Sequence, residues 1–319
     1  MKRITIILFI IMPLLGIAQA GKLYRQALKT ADLSERISLL DQVIEQEPDK
    51  LDAYFYRGLA KNDLGDYSGA IVDYSKIILT KPDPDTYFNR GNSRYSLLNY
   101  EGAKEDYKSA IELDPYFIDA IYSLGCSKYD LGHYDDAISD FNTVISIEPY
   151  SSEAYKMRAF THWALKKYKL ALADYTMVIL IDPTDDAYYN RGVFFMDIKY
   201  YKKAKSDFTK SLRINKNNGF AYFYRGASHL LLGKFNDAIS DFNTALKFDS
   251  KDFDALLGLA MTFQKVNDLE KAKLNFEKAQ SIILTNAITK DGIAPYSNTY
   301  WYKNEFYVFN ESFKVLSKL

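Results

Sequence analysis

One cysteine, Cys126, occurs in 319 residues, which excludes an intramolecular disulfide and any cysteine-rich metal site. Histidine is almost as scarce, with only His133, His162 and His229. Fifteen glycines and eight prolines are too few for a linker or low-complexity chain, and 48% hydrophobic with 26% charged residues excludes disorder. Neither sign of charge prevails: 41 basic residues balance 41 acidic ones, so no global field draws the chain to nucleic acid or anionic lipid. There is no glycine-rich phosphate loop, no Gly-x-Ser-x-Gly turn and no His-Glu-x-x-His, and hence no expected catalytic residue, cofactor or metal. Aromatic residues are what is abundant, at 15%, with 27 Tyr and 20 Phe.

The one long apolar run, Ile4 to Ile17, follows Lys2 and Arg3 and precedes Ala18-Gln19-Ala20, the small-residue pattern that a signal peptidase reads. It is interrupted by Pro13 and Gly16 and falls short of the roughly twenty residues that span a bilayer. The sequence predicts a signal peptide over residues 1–20, cleavage after Ala20, and an exported chain, periplasmic or extracellular, with no transmembrane segment. Removing Lys2 and Arg3 leaves 39 basic against 41 acidic residues, a net charge of −2.

The rest is repetitive. A small residue recurs at Gly58, Gly91, Gly125, Ala159, Gly192, Gly226 and Ala260. Twelve residues after each stands Ala70, Ala103, Ala137, Ala171, Ala204, Ala238 or Ala272, and four further on an aromatic: Tyr74, Tyr107, Phe141, Tyr175, Phe208, Phe242 or Phe276. A period of 33 or 34 residues is that of a two-helix repeat. Tyr54, Arg57, Gly58, Lys61 and Leu64 share one helical face, Gly65 sits just past the helix end, and Ala70, Ile71, Tyr74, Ile77 and Ile78 share the face of a second helix. Proline closes the early copies at Pro48, Pro82, Pro115, Pro149 and Pro183. Small residues at the crossing suggest that Gly of one helix meets Ala of the next, with rings filling the gaps beside them.

Tyr54, Gly58, Leu64-Gly65-Asp66-Tyr67, Ala70, Tyr74 and Pro82 make the chain resemble the tetratricopeptide repeat family. Seven copies cover residues 51–284, residues 21–50 read as a degenerate N-terminal repeat, and residues 285–319 as a loop and a helix from Tyr300. The resemblance implies an all-α, right-handed superhelical solenoid of antiparallel helix pairs. The terminal helix carries Tyr302, Phe306, Phe309, Phe313 and Leu316 on one face, widened by Trp301, Val308 and Val315. A cap on the last repeat, a tail folded into the groove, and homodimerisation through this helix all suit that face.

Two ladders of charge run through the copies. Arg57, Arg90, Arg158, Arg191 and Arg225 precede the crossing residue, and Asp73, Asp106, Asp140, Asp174, Asp207 and Asp241 precede the second-helix aromatic. One copy per repeat argues for structural ion pairs, not for a ligand site. Similarly, His162 and His229 occupy a slot filled elsewhere by Lys61, Arg94, Lys128, Phe195 and Phe263, so they read as packing residues.

In the family, first helices line a concave groove. The matching inward positions here carry Phe55, Phe88, Tyr122, Tyr189 and Phe223, with Tyr95, Tyr129 and Trp163 one turn further on. Such rings suit an extended peptide or amphipathic helix, or else pack on one another. Beside them Asp52, Asp85, Asp119, Glu153, Asp186 and Asp254 either complement helix dipoles or form an acidic rim for a basic or amine-bearing ligand. The clamp by which relatives hold acidic chaperone tails needs Lys, Asn, Asn, Lys and Arg; only Lys156 and Asn190 fit. The expected function is a non-enzymatic scaffold binding a protein or peptide partner within a cell-envelope or secreted complex; the alternative is a glycan or small-ligand module around Tyr122, Tyr129 and Trp163. N-terminal sequencing of the exported protein should begin at Gly21; an intact Met1 would overturn the signal-peptide assignment.

Overall fold

A computed structural model describes residues 19–283 and 294–319. Most of the signal-peptide segment, residue 284 and residues 285–293 of the expected loop lie outside the described residues. Every regular element among the described residues is helical. An N-terminal pair, α1 (residues 19–27) and α2 (Leu33–Gln46), precedes the fourteen helices of the repeats. These are α3 (Leu51–Asp63) with α4 (Tyr67–Thr80), α5 (Pro84–Ser96) with α6 (Tyr100–Leu113), and α7 (Ile118–Asp130) with α8 (Tyr134–Ile147). Next come α9 (Ser152–Ala164), α10 (Tyr168–Ile181), α11 (Asp185–Asp197) with α12 (Tyr201–Ile214), α13 (Gly219–Leu231) with α14 (Phe235–Phe248), and α15 (Phe253–Lys265) with α16 (Leu269–Ile283). A 3-10 turn (Ala294–Tyr296), α17 (Tyr300–Asn304) and α18 (Phe306–Leu316) complete the chain. The helices form two compact units, divided between Lys167 and Tyr168 inside the fourth copy.

Side-chain caps start many helices. Asp66, Asp83, Asn99, Ser151, Thr184, Asn218 and Asp252 each accept a hydrogen bond from the backbone N–H three residues on, satisfying a donor that the helix leaves open. The turn inside each copy needs one left-handed residue. Gly65, Gly132 and Gly233 fill it at φ 83°, 78° and 71°, but Leu98, Lys166, Lys199 and Asn267 adopt it too, so the glycine is favoured there without being obligatory.

The crossing inside a copy differs from the expected Gly–Ala meeting. A Cβ built on Gly58 would lie 2.7 Å from the Tyr74 ring, and one on Gly91 2.6 Å from Tyr107. Gly125 with Phe141 and Gly192 with Phe208 repeat the arrangement at 2.7 Å. The second-helix aromatic therefore lies directly on the first-helix glycine, and these rings are fully buried. Glycine makes room for a ring, not for alanine.

One residue back on each helix stands the ion pair. Arg57 donates to Asp73 (2.5 and 2.9 Å), Arg90 to Asp106 (2.7 Å), Arg191 to Asp207 (2.7 and 3.0 Å) and Arg225 to Asp241 (2.6 and 2.8 Å). The bidentate fork keeps each buried carboxylate from lying unpaired. Its remaining Nη1 reaches the preceding second helix: Arg57 to Asp41, Arg90 to Ser75, Arg158 to Asn142 and Arg191 to Thr176. Asp140, whose copy has Leu124 in place of the arginine, pairs instead with Lys128 at 2.7 Å. Arg158 and Asp174 lie in different units. In the last copy both partners change together, to Leu259 and Asn275.

That exchange suggests a test. Arg191→Leu should destabilise by about 3–5 kcal/mol, because it strands the buried Asp207, whose ion pair is with Arg191. Adding Asp207→Asn, which reproduces the Leu259/Asn275 combination, should recover at least half of the loss in urea midpoint. A double variant no more stable than the single one would show that the pair contributes more than mutual neutralisation.

Candidate functional site

In the first unit the expected inward rings are half-buried, each tilted against the aromatic of its own second helix. Centroid separations are 6.1 Å for Phe55 and Tyr74, 5.8 Å for Phe88 and Tyr107, and 5.9 Å for Tyr122 and Phe141. They are thus part of the repeat's packing and offer an edge, not a full face, to the groove. Tyr129 packs on Tyr134 at 5.5 Å, and Trp163 stacks with Phe160 on the same helix at 6.5 Å.

Between the second and third copies these elements enclose a cavity of about 310 Å³ lined by Asn92, Tyr95, Ser96, Tyr107, Tyr122, Ser123 and Cys126. Of these, Tyr95 and Tyr122 belong to the expected inward aromatic set and Tyr107 to the second-helix rings; Asn92, Ser96, Ser123 and Cys126 are small or polar, so aromatic spacing does not mark them. The Tyr107 hydroxyl donates to Asn92 Oδ1 (2.7 Å), which leaves the two Asn92 amide N–H groups as donors. Tyr95 donates to Asp130 in the next copy, and Asn62 accepts from Ser93 at 2.8 Å, so the cavity walls are tied across copies. Burial pushes the Cys126 thiol up to about 12, which keeps it protonated and removes it as a nucleophile. Burial also raises Tyr95 and Tyr122, so both hydroxyls stay neutral hydrogen-bonding groups.

The second unit is different because the C-terminal segment covers its inward face. Trp301 Nε1 donates to the Asp254 carbonyl (2.8 Å), and the Tyr300 N–H to the Asp254 carboxylate (3.0 Å). The Trp301 ring lies 6.1 Å from Phe223 and 6.2 Å from Phe242, and Tyr300 5.4 Å from Phe223. Further along, Tyr296 and Phe313 pack on each other and on Phe253 and Phe276 of the last pair. The segment thereby both caps the last copy and fills the inward face.

Two expectations are corrected here. Phe223 is not open to a partner: only 4% of it is exposed beneath Tyr300 and Trp301. Nor is the tail one helix, for the chain breaks at Glu305 (φ −130°, ψ 43°). The Glu305 carboxylate is buried where Tyr201 donates to it at 2.9 Å and Lys199 approaches to 3.7 Å. Anchoring Trp301 on α15 and Glu305 beside α12 at once requires the bend. Phe309, Phe313 and Leu316, on the face that suited homodimerisation, are buried within the chain itself. Tyr189, the remaining ring of the ladder, packs against Phe208 and Tyr224 at 6.0 and 5.9 Å.

All six acidic positions lie in first helical turns, where carboxylates complement the dipole. Asp52, Asp85, Asp119, Glu153 and Asp186 are exposed, whereas Asp254 is largely covered by the tail. His229 stands 3.7 Å from Asp237 and Asp241, and burial lowers its pKa. No group of three His, Cys, Asp or Glu among the described residues could hold a metal, and no described helix is long and apolar enough to cross a membrane.

Family models described as tetratricopeptide repeat match residues 84–117, 122–187, 185–218, 219–252 and 253–286, well over half of the chain. Among curated proteins, the heat shock protein STI1 of Saccharomyces cerevisiae is 30% identical over 111 residues, 34% of this chain and 19% of that protein. Human serine/threonine-protein phosphatase 5 is 34% identical over 92 residues, 29% of this chain and 17% of that protein. The chain thus spans less than a fifth of the length of either. Among solved structures, the C-terminal part of a TPR repeat-containing protein from Cytophaga hutchinsonii superposes with a TM-score of 0.60 at 19% identity, covering 76% of this chain and 98% of that one.

Burial raises the Asp254 carboxyl from 3.8 to about 6, with nearby Asp252 adding to the shift and the Tyr300 N–H opposing it. A carboxyl that holds its proton more tightly when buried contributes stability that is full below about 4 and is lost as pH rises through 6. Two units correspond to at most about 3 kcal/mol. Hydrogen-exchange protection of residues 300–316, corrected for intrinsic rates, should therefore rise on acidification from pH 7.5 to 5. Asp254→Asn should flatten the dependence and keep the tail protected at pH 7.5; unchanged pH dependence in that variant would assign the effect elsewhere.

Proposed function

The chain belongs to the tetratricopeptide repeat family, and from that premise we propose that it is a non-enzymatic scaffold that binds a peptide segment of a protein partner on the inward face of its first unit. The observation that carries this assignment is the contrast between the units. Around Asn92, Tyr95, Tyr122, Ser123 and Cys126 the inward face is concave, polar and aromatic, and uncovered by any described residue. At the matching level of the second unit, Met196, Phe223, Leu230, Leu257 and Met261 are buried, with the tail lying over Phe223. Peptides offer alternating carbonyl and N–H groups. Asn92 can donate to a carbonyl, Ser96 and Ser123 can donate or accept, and the edges of Tyr95 and Tyr122 supply apolar area at low entropic cost. The proposal extends to a site of action in the cell envelope or a secreted complex, a reading supported by the N-terminal apolar run after Lys2 and Arg3.

Substituting the rings would disturb the packing of each copy, so the test blocks the cavity instead. Residues 21–319 and a Ser96→Arg/Ser123→Arg variant, matched in circular dichroism and melting temperature, are compared in affinity capture from envelope extract, with affinities then measured for each recovered protein. Partners of the unaltered chain should bind the variant at least tenfold more weakly, about 1.4 kcal/mol. Equal recovery by both would move the binding face away from the first unit's groove.

A further inference from the structure

The second unit carries a larger cavity, about 910 Å³, at the mouth formed by the N-terminal ends of α11, α13 and α15, the turns before the last two, and Tyr300 of the tail. Its charge is unbalanced: Asp185, Asp186, Asp249, Asp252 and Asp254 face one cation, Lys251. The ladder aspartates Asp73, Asp106, Asp207 and Asp241 each hold an arginine, but among the described residues none of these five forms an ion pair. Their hydrogen bonds come from neutral donors only. Asp185 accepts from Asn215 (2.8 Å), Asp249 from the Lys251 N–H (2.9 Å), Asp252 from the Ala255 N–H (3.0 Å) and Asp254 from the Tyr300 N–H. Each keeps lone pairs for a further donor.

The apolar part of the wall is aromatic. Phe220 and Phe248 stand at the opening, 70% and 50% exposed, with Tyr224, Phe253 and Tyr300 deeper. Elsewhere the protein covers such rings with its own cations, as Arg57 covers Tyr54 and Arg90 covers Tyr87; no such cation lies over Phe220 or Phe248. The Tyr300 hydroxyl is shielded from solvent and has no hydrogen-bond partner among the described residues.

Ring faces and carboxylates without cations select a ligand that is cationic and partly apolar. A metal ion does not fit, since no three acidic groups converge to coordinate one. The size is that of a pocket enclosing a small organic molecule or several side chains. We propose that this cavity binds an alkylammonium chain, its methylenes lying on Phe220 and Phe248 and its ammonium groups meeting Asp186, Asp249 and Asp252. Free polyamines and lysine-bearing peptide segments share that chemistry. The proposal stands independently of the groove in the first unit.

The test is calorimetric titration of residues 21–319 with spermidine and, separately, with an acetylated and amidated Lys-Gly-Lys peptide, at physiological salt. Binding of either supports the site, and the tighter of the two identifies the source. Asp186→Asn/Asp249→Asn keeps both side-chain shapes and removes no helix cap; it should weaken binding at least tenfold with an unchanged melting curve. Phe248→Leu should weaken it severalfold, through loss of the ring face. No heat from either ligand, unchanged affinity in the aspartate variant, or displacement by magnesium chloride at equal charge concentration would overturn the proposal, the last because a diffuse acidic surface does not distinguish the two cations.

Discussion

In five of the seven copies the helices are registered on one contact, the ring of a second-helix aromatic lying on the bare backbone of a first-helix glycine sixteen residues earlier. The ring can approach only because no Cβ stands in the way, and the approach sets how closely the two helices cross. The arginine and aspartate one position back on each helix have the same separation, so the fork closes beside the ring and resists sliding or rotation of one helix on the other. Nη1 then reaches into the preceding copy, joining intra-copy register to inter-copy stacking through a single side chain. Local contacts of this kind are why such arrays build stability from neighbour to neighbour.

The legible part of the structure is the part that repeats. Gly58 and Tyr74, Arg57 and Asp73, and the capping Asp66 are each within twenty residues of their partners, and the recurrence of the first two in five copies makes the spacing unmistakable. What could not be read depends on contacts made once. Glu305 with Tyr201 is separated by 104 residues, and Trp301 with Asp254 by 47. No periodicity marks either pair. A faint signal did exist in the inward positions: Val193, Ala227 and Met261 stand in the slot that Asn92 and Cys126 fill in the first unit, and Met196 and Leu230 in that of Tyr95 and Tyr129, and an apolar inward face calls for a cover. The cavities escaped for a related reason. Each draws its walls from several helices, and the deciding residues, such as Asn92 and Ser123, look ordinary one at a time.

The two units therefore use one scaffold in two ways. In the first, the inward face keeps hydroxyl and amide groups beside ring edges, and its polar atoms are partly engaged across copies through Asn62, Ser93, Tyr95 and Asp130. In the second, the protein supplies its own aromatic segment, and the surface left open is displaced to the mouth of the first helices, where carboxylates outnumber cations. Self-coverage also explains why Asp254 departs from the other first-turn acids. Its five counterparts meet water, while it meets Tyr300 and Trp301, and the cost of desolvation appears as a raised pKa.

The same coverage accounts for the one copy without a charge ladder. In α15 every residue from Ala255 to Thr262 is buried, because α13, α14 and α16 lie against it from the repeat side and the tail from the other. A guanidinium at position 259 would lose the partial hydration that Arg57, Arg90 and Arg225 retain at the edge of their copies, and a buried fork repays its desolvation only with ideal geometry on all its donors. Leucine at 259 avoids that loss, but it would leave an aspartate at 275 stranded. Asn275 removes the charge and turns its amide to the Lys271 carbonyl at 2.8 Å. The two departures from the repeat are thus a single response to one cause, the docking of residues that lie outside the repeat altogether.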